Sequence, residues 1–164
     1  MKTLILIRHA KSSWDEAGLS DRERPLNKRG MRDAPEMGRR LAKRGLKPGL
    51  IVTSPARRAV MTAQPIAEAV GYPVERIVEE EDLYGGGRQG WIETIRRLDN
   101  RLGQAVLIGH NPAVSDLLNF LTRSVLDALP TCAAVIMVYD VETWRDVVDR
   151  LPVTTEIDFP KKER

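Results

Sequence analysis

The chain alternates between short, unbroken apolar runs and longer stretches in which apolar residues recur every three or four positions. "KTLILI" (2–7) is too short for a helix and nearly all apolar, which predicts a strand buried on both faces. "GLIVTS" (49–54) and "QAVLIGH" (104–110) have the same form. From Asn27 the period becomes helical: Met31, Ala34, Met37, Leu41 and Ala42 form a thin stripe closed by Gly45. Gly38 falls where another apolar residue would help, and Pro35 marks a kink or a late start. "SPARRAVMTAQPIAEAVG" (54–71) predicts a helix with Ser54 as its cap, Pro55 at the first position and Gly71 as its stop. Pro65 conflicts with the interior of that helix.

"YPVERIV" (72–78) has room for a short strand, and "QGWIETIRRLDN" (89–100) sets Trp91, Ile92, Ile95 and Leu98 on one helical face. Asn111 is the expected cap of a further helix, with Pro112 at its start and Val114, Leu117, Leu118 and Leu121 as its buried side. "AAVIMVYD" (133–140) and "VVDRLPVTTEID" (147–158) predict two final strands, open to antiparallel pairing. Strands that alternate with helices define an α/β fold, a three-layer αβα sandwich around a mainly parallel sheet. No repeat, linker or low-complexity tract interrupts it, so residues 1–164 are expected to form a single domain. One connection is unusual. "AKSSWDEAGLSDRERPL" (10–26) is a long polar loop between the first strand and first helix, and such loops in compact domains are functional or mobile.

Composition narrows the classes. Net charge is only +3, with basic and acidic residues interleaved, and aromatics are few, so neither a segregated nucleic-acid face nor a base-stacking platform is expected. The N-terminal apolar run is too short for a signal peptide and no stretch reaches membrane-span length, which predicts a cytoplasmic protein without a membrane partner. Cys132 is the only cysteine and lies in apolar "TCAAVIM", so it reads as a buried thiol, not a redox or metal site.

The chemistry gathers where strands stop. Both histidines of the chain stand where an apolar run stops: His9 after Arg8, and His110 at the end of "AVLIGH". In an open α/β sheet, ligands bind beyond the carboxyl ends of the strands. "IRHA", "VTSPARRA" and "IGHNP" would deliver Arg8, His9, Arg58 and His110 to that edge, beside two helix N-termini. Helix N-termini and planar guanidinium forks both suit phosphate oxygens. A cationic site with imidazoles at its centre fits a phosphoryl group.

The same segments carry a resemblance. "LIRHA", "SPARRAVMTA" and "GHNP" resemble the defining segments of the histidine phosphatase superfamily, whose members include phosphoglycerate mutases and acid phosphatases. The pattern Ser-Pro-x-x-Arg-Ala-x-x-Thr-Ala falls on 54–63, so the family arginine is Arg58 and not Arg57. "HAKSSW", "RPLNKRG" and the short length are similar to the SixA-like phosphohistidine phosphatase branch, with a phosphoglycerate mutase-like fold.

The resemblance implies that His9 attacks phosphorus while Arg8, Arg58 and His110 hold the equatorial oxygens. Cationic neighbours are expected to keep His9 neutral. Ser12 and Arg24 are candidate substrate contacts. Many superfamily members protonate the leaving group with an acidic residue. "VEEEDLYGG" (78–86) offers Glu79, Glu80, Glu81 and Asp82, and the Leu-Tyr-Gly step favours Glu81 as a possible general acid. Ala10 stands where the family commonly has Gly. No cofactor and no metal is expected. The substrate would be a phosphorylated protein or a small phosphorylated molecule. A phosphate-binding module without turnover and a mutase-like phosphotransferase are the alternatives.

Overall fold

The computed structural model describes residues 1–161. The expected strands form. β1 (Lys2–Arg8), β2 (Leu50–Thr53), β3 (Val78–Glu79), β4 (Gln104–Gly109), β5 (Ala134–Tyr139) and β6 (Thr154–Asp158) join one sheet in the order β3-β2-β4-β1-β5-β6. The pairs from β3 to β1 are parallel; β5 runs antiparallel to both β1 and β6. The sheet is therefore mixed, with only β5 reversed.

Alternation along β1 sorts the core into two layers, because successive side chains on a strand point to opposite faces. Leu4 and Leu6 pack with α4 (Gly87–Arg96), α5 (Ala113–Thr122) and α6 (Trp144–Asp149), through Trp91, Ile95, Leu117 and Trp144. Ile5 and Ile7 pack with α1 (Lys28–Lys43) and α2 (Arg57–Val70), through Met37, Leu41, Ala63 and Ile66. This is the three-layer αβα sandwich. A one-turn α3 (Asp82–Gly85) precedes α4. No helix among the described residues is long and apolar enough to cross a membrane.

The helix faces depart from the sequence pattern in instructive ways. Asn27 does cap α1, its side chain accepting from the Gly30 N–H. Met31, however, is 60% exposed, and the inward face of the first turn is Gly30, which rests on the Lys11 carbonyl. Gly38 is no gap in the stripe. A Cβ there would lie 2.9 Å from the Ala69 Cβ and 3.1 Å from the Ile66 Cα, so its bareness sets how closely α1 and α2 cross. Pro35 and Pro65 both sit inside helices that continue past them. In "YPVERIV" the first part is a 3₁₀ turn (Val74–Arg76), and β3 begins only at Val78.

Two expected caps are displaced. α2 starts at Arg57 after Ala56, and α5 starts at Ala113 after Pro112; neither capping position supplies a side-chain hydrogen bond. Ser54 and Asn111 instead bond elsewhere. The loop 10–26 is pinched shut at its base. Ser12 bridges Leu26, the Asn27 N–H donates to the Lys11 carbonyl at 3.0 Å, and the Ser13 N–H donates to Pro25 at 2.9 Å.

Candidate active site

The register of three neighbouring strands builds the site. Thr53 of β2 pairs with Ile108 of β4, and Gly109 of β4 pairs with Arg8 of β1. The next residue of each strand is therefore delivered to one edge: Ser54, His110 and His9. The ladder extends one step further, with the Ser54 N–H donating to Ile108 and the His9 N–H to Gly109, both at 2.9 Å. Gly109 has to lack a side chain, since a Cβ would fall 2.5 Å from the Trp91 ring and 2.9 Å from the Leu83 carbonyl.

His9 is fixed in one tautomer. Its Nδ1 lies 2.6 Å from the Ala10 carbonyl oxygen, which can only accept, so Nδ1 carries the proton and Nε2 keeps its lone pair. Burial, first of all, depresses the His9 pKa to about 3; the charges of His110, Arg58 and Arg8 act in the same direction, while the bond to Ala10 opposes them. His9 is neutral near pH 7, as expected, but burial outweighs its cationic neighbours.

His110 is held by Ser54, whose Oγ lies 2.8 Å from Nε2 and also accepts from the Ala56 N–H. With the Ser54 hydroxyl assigned as donor to Nε2, the His110 proton sits on Nδ1. Burial, with smaller help from Arg58, holds His110 at about pKa 4. Arg8 donates through Nη1 to the Leu129 carbonyl at 2.8 Å. Arg58 is buried in the first turn of α2, whereas Arg57 beside it is exposed. Thr62 ties the two sides together: its hydroxyl donates to the Arg58 carbonyl and accepts from the Ala10 N–H.

A cavity of about 220 Å³ opens over these groups, lined by Arg8, His9, Arg58 and His110 together with Lys11, Ser12, Trp14, Arg24, Asn111 and Thr131. It has four cationic side chains and no carboxylate in its lining. Arg8 Nε, Arg58 Nε and His110 Nδ1 are buried with no hydrogen-bond partner among the described residues. Unpaired buried donors are costly, and three of them on residues that line one cavity with His9 mark a place suited to an oxyanion. A larger groove of about 450 Å³ beneath the same loop sets Asp15 and Glu16 against Lys28 and Arg29 and contains no histidine.

Ser12 and Arg24 both reach the cavity. The Arg24 Nη1 donates to Ser12 Oγ at 2.9 Å, and its guanidinium stacks 3.5 Å above the Trp14 ring. Glu81 is placed elsewhere. Its side chain is 69% exposed and paired with Arg22, while Glu80 and Asp82 share Arg97; none of these lines the cavity.

Sequence reasoning missed three residues. Asp21 bonds Arg58 and Tyr84, the Tyr84 ring stands edge-on to His110 at 5.5 Å, and Trp14 lines the mouth. Only Trp14, an exposed aromatic in a polar loop, carried a signal in the sequence.

Comparison with known proteins fits this geometry. The family model of the histidine phosphatase superfamily (branch 1) matches residues 4–115. A protein of Agrobacterium tumefaciens assigned as the phosphohistidine phosphatase SixA superposes with a TM-score of 0.74 at 26% identity, covering 83% of this chain and 90% of that one. An uncharacterized chloroplastic protein of Arabidopsis thaliana is 28% identical over 88% of this chain and 70% of its own length. A 2,3-bisphosphoglycerate-dependent phosphoglycerate mutase of Chelativorans sp. (strain BNC1) is 36% identical, but over only 49% of this chain and 40% of the mutase.

Proposed function

The chain belongs to the histidine phosphatase superfamily, and from that membership we propose that it is a metal-independent phosphatase working through a phosphohistidine on His9. Its substrate is a phosphohistidine-bearing protein or a small phosphorylated compound. The observation that carries this reading is the pairing of a free His9 Nε2 with three unpartnered N–H donors on Arg8, Arg58 and His110.

His9 Nε2 attacks phosphorus in line, and the bond to the leaving group breaks as the N–P bond forms. Arg8, Arg58 and His110 donate to the equatorial oxygens, where they offset charge in the transition state. The Ala10 carbonyl accepts from Nδ1 throughout and steadies the ring as Nε2 becomes phosphorylated. Water then attacks phosphorus from the side the leaving group vacated. Inorganic phosphate departs, and His9 returns to its neutral tautomer.

Rapid quench with labelled substrate, run with EDTA present, tests the scheme. A phosphoenzyme that is acid-labile and alkali-stable is expected in the parent protein and absent from a folded His9→Ala variant. Turnover by His9→Ala at the parental rate, or loss of activity that a divalent ion restores, would reject it.

A further inference from the structure

Asp21 lies in a 3₁₀ turn (Asp21–Glu23) of the 10–26 loop, and its side chain is half exposed. A carboxylate there has every opportunity to face water. It binds Arg58 behind the cavity lining instead. The Asp21 carbonyl accepts from Arg58 Nη1 at 2.7 Å, and Oδ2 accepts from Arg58 Nη2 at 3.0 Å. Oδ2 also accepts from the Tyr84 hydroxyl at 2.7 Å, while Oδ1 accepts from Arg24 at 3.2 Å. Side chains from α2, α3 and the loop itself thus converge on one residue.

The pairing with Arg58 has a directional consequence. A guanidinium is a rigid plane with five N–H donors, and it offers two bidentate edges. Asp21 takes both terminal nitrogens, which uses the end of the fork. The Nε–H is buried without a partner among the described residues and belongs to the other edge. On the far side, Tyr84 held by the same carboxylate backs the His110 ring.

We propose that Asp21 is a positioning residue: it holds the end of the Arg58 fork so that the Nε edge meets the oxyanion. The proposal rests on the oxyanion-site reading above and extends it. A purely electrostatic role would have the opposite sign, because removing a carboxylate close to an anion site should tighten anion binding.

The test measures tungstate affinity by calorimetry, and kcat and KM on an aryl phosphate, for the parent, Asp21→Ala, Asp21→Asn, Arg58→Ala and Asp21→Ala/Arg58→Ala proteins. Misplacing a group that contacts the transition state can cost on the order of 10²-fold. Asp21→Ala should weaken tungstate and lower kcat to about that extent. Asp21→Asn, which keeps an acceptor oxygen, should recover part of both. In the Arg58→Ala background the Asp21→Ala change should do almost nothing further, since residues acting through one another are not additive.

Tighter tungstate binding by Asp21→Ala, an unchanged kcat, or losses that multiply in the double variant would each overturn the proposal. Should Asp21→Ala not fold, Asp21→Asn carries the same comparisons. A parent protein that binds no tungstate removes the oxyanion-site reading, and this proposal with it. Parental binding that Asp21→Ala leaves unaltered removes this proposal alone.

Discussion

The imidazole rings of His9 and His110 lie 5.0 Å apart, centre to centre, and are tilted by 54°. Two bases this close, both buried and both near Arg58, are poor places for positive charge. His9 is held at about pKa 3 and His110 at about 4. Free imidazole in an unfolded chain titrates near 6.5.

This difference makes acid destabilising. Above about pH 6.5 both states hold the histidines neutral, and the full stability is present. As pH falls below that value the unfolded chain takes up protons while the folded protein does not, so stability is lost progressively until His110 and then His9 protonate. The melting temperature should therefore drop steadily between pH 7 and pH 4, and less steeply in His9→Asn. Parallel curves for the two proteins would contradict the buried, neutral state of His9.

Arg58→Ala should be far more damaging than Arg57→Ala. Neighbouring residues on a helix point about 100° apart, so the first turn of α2 can aim only one of them inward. That one is Arg58; Arg57 is exposed and reaches the Glu23 carbonyl at 3.4 Å. Steady-state kinetics should show near-parental kcat/KM for Arg57→Ala. For Arg58→Ala the loss should be on the order of 10²–10³-fold, as for removal of a single oxyanion donor. Equal losses would mean the wrong arginine has been chosen.

Glu81→Gln should change little. Its carboxylate is paired with Arg22 outside the cavity lining. An enzyme without a strong general acid cleaves phosphohistidine and aryl phosphates readily, because their leaving groups need little help, and alkyl phosphates poorly. Log rate plotted against leaving-group pKa should fall steeply in the parent and lie on the same line in the variant. A shallow parental slope that steepens in Glu81→Gln would identify Glu81 as the acid, with effects of up to roughly 10²–10⁴-fold.

Gly109→Ala should lower both stability and activity. The added methyl would meet the Trp91 ring and the Leu83 carbonyl, and overpacking of this kind costs about 1–3 kcal/mol. Relief by shifting β4 would carry His110, the next residue, out of place. Urea unfolding together with kcat would show the two losses jointly. A fully active, fully stable variant would mean that this end of β4 is looser than its packing indicates.

Strand ends were legible because unbroken apolar runs need two covered faces, and the two runs that stop at or just before a histidine therefore had to end at the sheet edge. The Asn27 cap was legible for a local reason, its reach to the Gly30 N–H. Ser54 and Asn111 look like caps by the same logic, yet their side chains go to other partners: distant His110 for Ser54, and the Leu129 carbonyl and the nearby Ser115 hydroxyl for Asn111. Met31 fits the stripe, but bare Gly30 settles on the Lys11 carbonyl, which turns Met31 outward. Asp21 was invisible. In "SDRERPL" it resembles any solvated charge, and its partners Arg58 and Tyr84 arrive from far along the chain.

The pinch at the base of the 10–26 loop separates two kinds of change. Lys11 to Asn27 and Ser13 to Pro25 bring the chain out and back at nearly one point, next to His9. Insertions or deletions at the tip, around 15–19, leave that neck and the histidine beside it undisturbed. The exchangeable part is that tip alone, because Asp21 and Arg24 on the returning limb hold Arg58 and Ser12, while His9 stays tied to the sheet. Under the proposed function, changing the length of that tip should alter which substrates reach the cavity while the phosphoryl chemistry at His9 is retained.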